Sequence, residues 1–214
     1  MGFPYSLEFI RRRYNHLAAI YPVFEIVFAL PRGIRAKAVE RLDLHEGDTV
    51  LEVGCGTGRN LAHLVKAVGS SGRVYGVDCT EGMLARAHTL LSRKKGWQNV
   101  VLLHQDAQEL DLPEHVNAAL FSLSYSVIPD PRKALERAWT HLRPGGRVVI
   151  LDSPIPSGAF WRVARPYLSL LSRATVLGDP DSAPWQDLRK FTPHVEKQEF
   201  QLRTYCICQA TKDH

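Results

Sequence analysis

The residues of this sequence whose types and spacing most clearly suit a binding site are carboxylates and closely spaced glycines. Glu52 ends a short apolar run, and glycines follow at alternate positions, Gly54, Gly56 and Gly58. Glycine permits tight backbone turns and lets a bulky group lie against bare main chain. A helical pattern of apolar residues begins at Leu61, and the first N–H groups of a helix have no partner within it. The pattern therefore predicts a strand–loop–helix nucleotide site.

The glycine spacing differs from that of dinucleotide-binding folds. Those folds place glycines as G-x-G-x-x-G and hold pyrophosphate at the helix end. Here the third glycine comes one residue earlier, and the E/D-x-G-x-G-x-G pattern resembles motif I of class I S-adenosylmethionine-dependent methyltransferases. The resemblance implies S-adenosyl-L-methionine as cofactor and S-adenosyl-L-homocysteine as product, with the loop around the methionine part. A tight turn without a ligand is the alternative interpretation.

Two more acidic residues follow at the ends of predicted strands. Asp78 comes 20 residues after Gly58 and ends the run that starts at Arg73. A carboxylate there can accept hydrogen bonds from both ribose hydroxyls, or it can cap the helix that begins near Glu81. Asp106 follows a third strand, and the resemblance implies that its carboxylate and the next backbone N–H meet adenine. A simple turn residue is the alternative for Asp106.

The resemblance implies a wider set of cofactor contacts. They are Tyr14, Glu52, Gly54, Cys55, Gly56, Gly58, Asn60, Asp78, Cys79, Met83, Asp106, Ala107 and Ser122. No metal is expected, because the four cysteines show no C-x-x-C spacing and the nine histidines show no H-x-x-x-H pair.

The later part of the chain predicts the fold class. The segment His141–Ile150 is similar to the family's turn into strand five, and Glu196–Phe200 and Arg203–Ala210 indicate an antiparallel pair. We predict an α/β fold with a Rossmann-like, seven-stranded, mostly parallel sheet. Helices are expected on both faces of this sheet, and an antiparallel strand at its C-terminal end.

Length and charge predict how the chain is organised. The 214 residues favour a single domain, with an N-terminal helical cap at 1–40 and a substrate-lid insertion at 153–190. Residues 1–41 hold seven basic and three acidic residues, a net of +4 out of +5 for the chain. Arg11, Arg12 and Arg13 lie in an apolar helical pattern, which is typical of a helix on an anionic membrane surface. A solvated face on a helix that caps the cofactor is the alternative.

The methyl acceptor is predicted from two further segments. Ser122–Asp130 and Arg13–Tyr21 are similar to segments of bacterial phospholipid and betaine-lipid N-methyltransferases. No evident acid–base residue follows strand four, which agrees with methylation of an amine, because such a reaction depends mainly on alignment. We therefore predict N-methylation of a phospholipid such as phosphatidylethanolamine. Tyr21 and Tyr125 are the expected catalytic residues.

Substrate contacts are expected at Ser124 and in the lid. Arg162 and Arg165 suit an anionic head group, although an ordinary amphipathic lid explains them equally. The main alternative function is C-methylation of a prenylated quinone, for which Arg13–Tyr21 is also a similar segment; another small molecule is a further acceptor. A cofactor-binding regulatory protein without activity and an NAD-dependent oxidoreductase remain open.

The sequence also predicts partners and location. A nucleic-acid partner is not expected, because no RNA-binding module is recognisable and three arginines are a small basic footprint. The longest apolar stretch, Leu17 to Leu30, has 14 residues and contains Pro22 and Glu25, which is too short to span a bilayer. No signal peptide is recognisable. We predict a cytoplasmic protein, at most peripheral at the inner face of the membrane, and leave the oligomeric state open.

Overall fold

The computed structural model places most of the chain in one mixed α/β arrangement. The residues it describes are 6–17, 30–153, 178–179, 182–201 and 203–213. Tyr21, Arg162 and Arg165, together with most of the expected lid, lie outside the described residues.

Seven strands and six α-helices make up the described part of the chain. The strands are β1 (Thr49–Val53), β2 (Arg73–Asp78), β3 (Val100–His104), β4 (Val116–Ser122), β5 (Leu142–Asp152), β6 (Val195–Phe200) and β7 (Tyr205–Thr211). The helices are α1 (Leu7–Leu17), α2 (Ile34–Glu40), α3 (Leu61–Val68), α4 (Glu81–Ser92), α5 (Pro131–His141) and α6 (Pro184–Leu188). Two short 3₁₀ turns lie at Ala107–Glu109 and Tyr125–Val127.

The seven strands form one sheet in the order β3-β2-β1-β4-β5-β7-β6. Strands β1 to β5 are parallel, and β7 runs antiparallel to both β5 and β6. The predicted fold class and the antiparallel C-terminal pair are confirmed. The strand order reverses direction at β1, between β2 and β4. In open α/β sheets ligands bind beyond the carboxyl ends of the strands at such a point.

Alternation along β1 explains why both faces of the sheet are covered. Leu51 and Val53 pack into the core beside α5 and α6, whereas Val50 packs on the opposite face with α2 and α3. All five residues of β1 are buried, as expected for a central parallel strand. Glu52 shares this buried strand, so its carboxyl group sits inside the protein at the carboxyl end of β1.

Helix α1 lies over the start of α4. Its Asn15 Oδ1 accepts a hydrogen bond from the backbone N–H of Gly82, in the first turn of α4, at 2.7 Å. Thr80, the N-cap of α4, makes no side-chain capping bond of its own. Asn15 therefore satisfies one of the free N–H groups that any helix leaves at its start. This contact holds α1 above the carboxyl ends of β1 and β2.

Within the described residues, no helix combines the length and the apolar character needed to cross a membrane.

Candidate functional site

A cleft open to solvent lies at the carboxyl ends of β1, β2 and β4 and beneath α1. The cleft brings together twelve of the thirteen residues expected to contact the cofactor: Tyr14, Glu52, Gly54, Cys55, Gly56, Asn60, Asp78, Cys79, Met83, Asp106, Ala107 and Ser122. Ser124, expected to contact the acceptor, also lines it. The sheet topology thus collects side chains that are far apart in sequence.

The three loop glycines meet three different requirements. A Cβ on Gly54 would lie 2.5 Å from the Ser124 Cβ, so Gly54 permits two loops to approach closely. A Cβ on Gly58 would lie 2.8 Å from Leu61 Cδ1, so Gly58 serves packing beneath the loop and does not line the cleft. Gly56 has φ +55° and nothing within 4 Å of its Cβ position, because that position faces the open cleft. Only Gly56 keeps space free for a ligand.

Glu52 is a buried carboxylate with one oxygen unused. Asn60 Nδ2 donates a hydrogen bond to Glu52 Oε1, whereas Oε2 has no hydrogen-bond partner in the described structure. Burial raises the pKa of Glu52 from 4.5 to about 7, and the bond from Asn60 and the charge of Arg35 oppose this rise. Leaving a buried carboxylate oxygen unpaired is costly. The open oxygen therefore indicates a place for a donor from a ligand, preferably a cationic one.

Asp78 connects the loops that follow β1 and β2. Its Oδ2 accepts a hydrogen bond from the Gly56 N–H at 2.8 Å, and its Oδ1 accepts one from the Thr80 N–H at 2.9 Å. Burial raises the pKa of Asp78, and these two N–H groups oppose the rise. Each carboxylate oxygen has a second lone pair, so hydroxyl donors from a ligand can still bind. The ribose contact remains a prediction.

Asp106 and Ala107 lie where β3 ends. Asp106 Oδ1 accepts hydrogen bonds from both the backbone N–H and the side-chain Nε2 of Gln108, at 3.0 Å each. Asp106 therefore acts as the cap of the 3₁₀ turn that begins at Ala107, as the simpler interpretation of the sequence held. Both residues also line the cleft, so the adenine contact stays a prediction.

Residues 50–146 match a family model described as a methyltransferase domain. A demethylmenaquinone methyltransferase from Oceanobacillus iheyensis is 30% identical over 172 residues, which cover 77% of this chain and 70% of that relative. The chain belongs to the class I S-adenosylmethionine-dependent methyltransferases.

The alignment with this methyltransferase covers different shares of the length of two other relatives. A demethylmenaquinone methyltransferase from Anoxybacillus flavithermus is 28% identical over 153 residues, which are 70% of this chain and 64% of the relative. The aklanonic acid methyltransferase DauC from a Streptomyces species is 29% identical over 208 residues, 93% of this chain and 90% of the relative. The chain thus spans less than two thirds of the Anoxybacillus protein and nine tenths of DauC.

The solved structure of the [4+2]-cyclase SpnF shares the fold of this methyltransferase. Its TM-score is 0.74, the alignment covers 99% of this chain and 98% of SpnF, and 16% of the residues are identical. At such low identity the likeness establishes the fold alone. Since one fold can carry several reactions, the acceptor must be argued from the cleft.

Membership in the family implies S-adenosyl-L-methionine as the cofactor, and the cleft fits that molecule. The unpaired Oε2 of Glu52 suits the ammonium of its methionine part, and the open space at Gly56 leaves room for this arm. Asp78 would hold the ribose and Asp106 the adenine, as the sequence predicts. A carboxylate and a cation buried together form a strong charge-assisted hydrogen bond.

Asp78→Ala is expected to reduce the affinity of this methyltransferase for S-adenosylhomocysteine by roughly ten- to a hundredfold. Hydrogen bonds to a charged group contribute about 1.5–3 kcal/mol each. Adenosine, which keeps the ribose and lacks the methionine arm, should lose affinity by a similar factor. Calorimetric titration of both ligands measures this. Unchanged affinities in a folded variant would remove Asp78 from the ribose site.

Tyr125 does not line the cleft, contrary to the role predicted for it. Its side chain is fully buried, and its hydroxyl donates a hydrogen bond to Asp187 Oδ2 at 3.0 Å. Its ring packs edge-on against Phe121, with centroids 5.5 Å apart. The 3₁₀ turn at Tyr125–Val127 directs this side chain into the core next to α5 and α6, away from the cofactor side. A catalytic contact between Tyr125 and the acceptor therefore has no support.

The three consecutive arginines face different environments. Arg12 is exposed, whereas Arg13 places its guanidinium 5.5 Å from the centre of the Phe9 ring. Arg11 points toward Cys79 in the cleft wall, where its charge opposes the rise that burial causes in the pKa of this thiol. The helix that carries them covers the cleft through Leu7, Ile10 and Tyr14. The capping alternative therefore describes α1 well, and membrane contact remains a prediction.

Asn15→Ala is expected to loosen the cover that α1 forms over the cofactor. The variant removes the capping bond to Gly82, and such bonds contribute about 0.5–2 kcal/mol. We expect S-adenosylhomocysteine to dissociate faster by about threefold to thirtyfold. Stopped-flow displacement measures the rate, and His16→Ala, an exposed neighbour on α1, is the matched control. Equal dissociation rates in all three proteins would contradict this role of α1.

Several cleft residues were missed by the sequence interpretation. They are Leu7, Ile10, Arg35, Thr57, Arg59, Val77, Thr80, Gln105, Leu123, Val127, Ile128 and Pro129. Some of them, such as Thr57 and Gln105, are sequence neighbours of motif residues and could have been predicted. No local sequence pattern marks Arg35 as a cleft residue, because its partners Asn60 and Ser122 belong to other elements.

Proposed function

We propose that this methyltransferase transfers a methyl group to a ring carbon of a quinone-like acceptor. This is the alternative that the sequence left open beside phospholipid N-methylation. Demethylmenaquinone methyltransferases among its relatives favour it. The observation that carries the proposal is the apolar wall of the cleft, formed by α1 and by the residues after β4.

The two sides of the cleft differ in polarity. The carboxylates of Glu52, Asp78 and Asp106 all lie at the ends of β1, β2 and β3. The part of the lining that α1 and the residues after β4 contribute contains Leu7, Ile10, Tyr14, Leu123, Ser124, Val127, Ile128 and Pro129, and none of these described residues is charged. An aromatic ring system gains free energy on such a surface. A zwitterionic head group would lose hydration on this uncharged part of the lining.

Polar side chains of the segment that suggested a phospholipid acceptor, Ser122–Asp130, form hydrogen bonds within the protein itself. Ser124 Oγ donates a hydrogen bond to the Val53 carbonyl, and Ser126 Oγ donates one to Asp152 Oδ1 at 2.8 Å. Asp130 caps α5 by accepting from the Lys133 N–H. These polar side chains are therefore explained by tertiary contacts. Their likeness to phospholipid N-methyltransferases carries no separate argument for a head group.

The proposed reaction needs alignment and a dry site. Bound S-adenosylmethionine would supply the methyl group, and the electron-rich ring carbon of the reduced acceptor would take it up in exchange for its ring hydrogen, lost as a proton. S-adenosylhomocysteine would be the other product. The apolar wall and α1 would hold the ring against the cofactor and exclude water, which are the two contributions expected for such a transfer.

Radiolabelled S-adenosylmethionine tests the acceptor directly. The protein is incubated with a reduced demethylated naphthoquinol, with phosphatidylethanolamine vesicles, or with both. We expect label in the quinol and none in the phospholipid. Label in phosphatidylethanolamine alone would overturn the proposal in favour of the head-group reaction. Label in neither acceptor, while S-adenosylhomocysteine still binds, would also overturn it and leave the family assignment intact.

A variant of the apolar wall separates acceptor binding from cofactor binding. Val127→Asp introduces a charge into that wall and should lower transfer to the quinol by about a hundredfold or more, since a buried unpaired charge costs several kcal/mol. Affinity for S-adenosylhomocysteine should change little. Phe9→Asp makes a comparable change on the exposed side of α1 and serves as the control. Equal transfer rates in both variants would contradict the proposed wall.

A further inference from the structure

We propose that Arg35 is a positioning residue, which holds Glu52 ready to accept the ammonium of the cofactor and acts through the side-chain amide of Asn60. This role rests on the assignment of Glu52 to cofactor binding and is independent of the acceptor. Arg35 belongs to α2, outside the glycine loop, and hydrogen bonds link it to Glu52 through the Asn60 side chain.

The hydrogen bonds of Arg35 join three elements at the wall of the cleft. Its Nη1 donates to Asn60 Oδ1 at 3.3 Å and to Ser122 Oγ at 3.1 Å. Asn60 precedes α3, and Ser122 ends β4. Ile34 and Ala38 on the same helix are fully buried, so the backbone that carries Arg35 is held firmly by the core. A guanidinium on such a support can fix the groups it contacts.

The orientation of the Asn60 amide follows from this contact. An amide has a carbonyl oxygen that accepts and an NH₂ group that donates, and the surrounding hydrogen bonds decide which way it points. Arg35 can only donate, so the oxygen of Asn60 faces Arg35 and its NH₂ faces Glu52. The reverse orientation would place the amide oxygen against a carboxylate. Arg35 thus selects the orientation that stabilises ionised Glu52.

The charges around Glu52 support the same role. Arg35 on α2 lowers the pKa of Glu52, whereas Asp78 at the end of β2 raises it. The neighbouring Cys55 thiol is held neutral, because burial raises its pKa well above the ordinary value. Arg35 also faces Tyr205 on β7, whose phenol has a pKa raised by burial and is likewise neutral. Arg35 therefore counteracts the rise in the pKa of Glu52 that burial and the negative charge of Asp78 cause.

The pH dependence of cofactor binding tests this inference. Affinity for S-adenosylhomocysteine is measured by calorimetry across the neutral range for the natural protein, Arg35→Gln and Arg35→Lys. In the natural protein, affinity should fall as the pH drops below about 7, where Glu52 takes up a proton. Arg35→Gln should move this fall upward by about one pH unit and weaken binding at pH 7 by about fivefold, with recovery at higher pH. Arg35→Lys, which keeps the charge, should shift it less.

Two comparisons make the test decisive. Arg41→Gln is the matched control, because Arg41 follows the same helix and bonds Glu196, Gln198 and Gln209 away from the cleft. It should leave the pH profile unchanged. In an Asn60→Ala background, Arg35→Gln should shift the profile less than in the natural protein. A pH-independent loss of affinity in Arg35→Gln would overturn the inference. Absence of any binding by the natural protein would instead contradict the cofactor assignment.

Discussion

Gly56→Val is expected to weaken S-adenosylmethionine binding by about a thousandfold or more while the protein remains folded. A valine side chain at this position would extend into the open cleft, where the methionine arm of the cofactor is expected. Loss of the contacts of that arm, together with a steric clash, corresponds to about 4 kcal/mol or more. The backbone at φ +55° adds local strain of roughly 1–2 kcal/mol, which affects stability and not only binding.

Gly96→Val separates the two effects of this substitution. Gly96 lies between α4 and β3, has φ +97°, and also has nothing within 4 Å of its Cβ position. It therefore acquires comparable backbone strain in open space without touching the cleft. Thermal denaturation should show similar losses for both variants, and titration with S-adenosylhomocysteine should show a loss only for Gly56→Val. Equal binding by the two variants would mean that the loop does not hold the cofactor.

Glu52→Gln is expected to reduce cofactor affinity by about ten- to a hundredfold and to stabilise the free protein at neutral and alkaline pH. The affinity falls because the ammonium of the cofactor loses a buried, charge-assisted partner worth about 1.5–3 kcal/mol. Adenosine has no ammonium at that position, so its affinity should change little. Asp78→Ala should instead weaken both ligands, and the two variants therefore distinguish the two ends of the site.

The stability gain follows from the sign of the pKa shift. Burial raises the pKa of Glu52 from 4.5 to about 7 in the folded protein. Between these values the folded state holds a proton that the unfolded state has released, so stability falls as the pH rises through this window. The total loss by pH 8 is about 3 kcal/mol on this basis. Glutamine is neutral throughout, so its variant should not show this fall.

Chemical denaturation at pH 5 and pH 8 measures this difference. The natural protein should lose more stability than Glu52→Gln between the two pH values. Glu81→Gln, at an exposed position, should follow the natural protein. Identical pH dependence in the natural protein and Glu52→Gln would show that Glu52 does not titrate in this range. The arrangement illustrates how a ligand-binding carboxylate can reduce the stability of the protein that carries it.

The sequence alone determined the fold class and much of the cofactor side of the cleft. Glu52, the alternate glycines, Asp78 and Asp106 were recognisable because each lies at or just after the carboxyl end of a strand, in a local strand–loop–helix unit. Parallel strands bring their carboxyl ends to one edge of a sheet, so residues at these ends converge without further information. The helices predicted on both faces of the sheet are found as well.

Only the tertiary structure showed which residues outside these local units contact one another. Arg35 reaches Ser122 across 87 residues of sequence, and Tyr125 reaches Asp187 across 62. No periodicity or spacing encodes such pairs, because they depend on how α2 and the turn after β4 pack on the sheet. The same holds for the glycines, whose pattern is uniform although their surroundings differ. Contacts between distant elements thus placed Arg35 next to Asn60, buried Tyr125, and left Gly56 as the loop glycine with open space at its Cβ position.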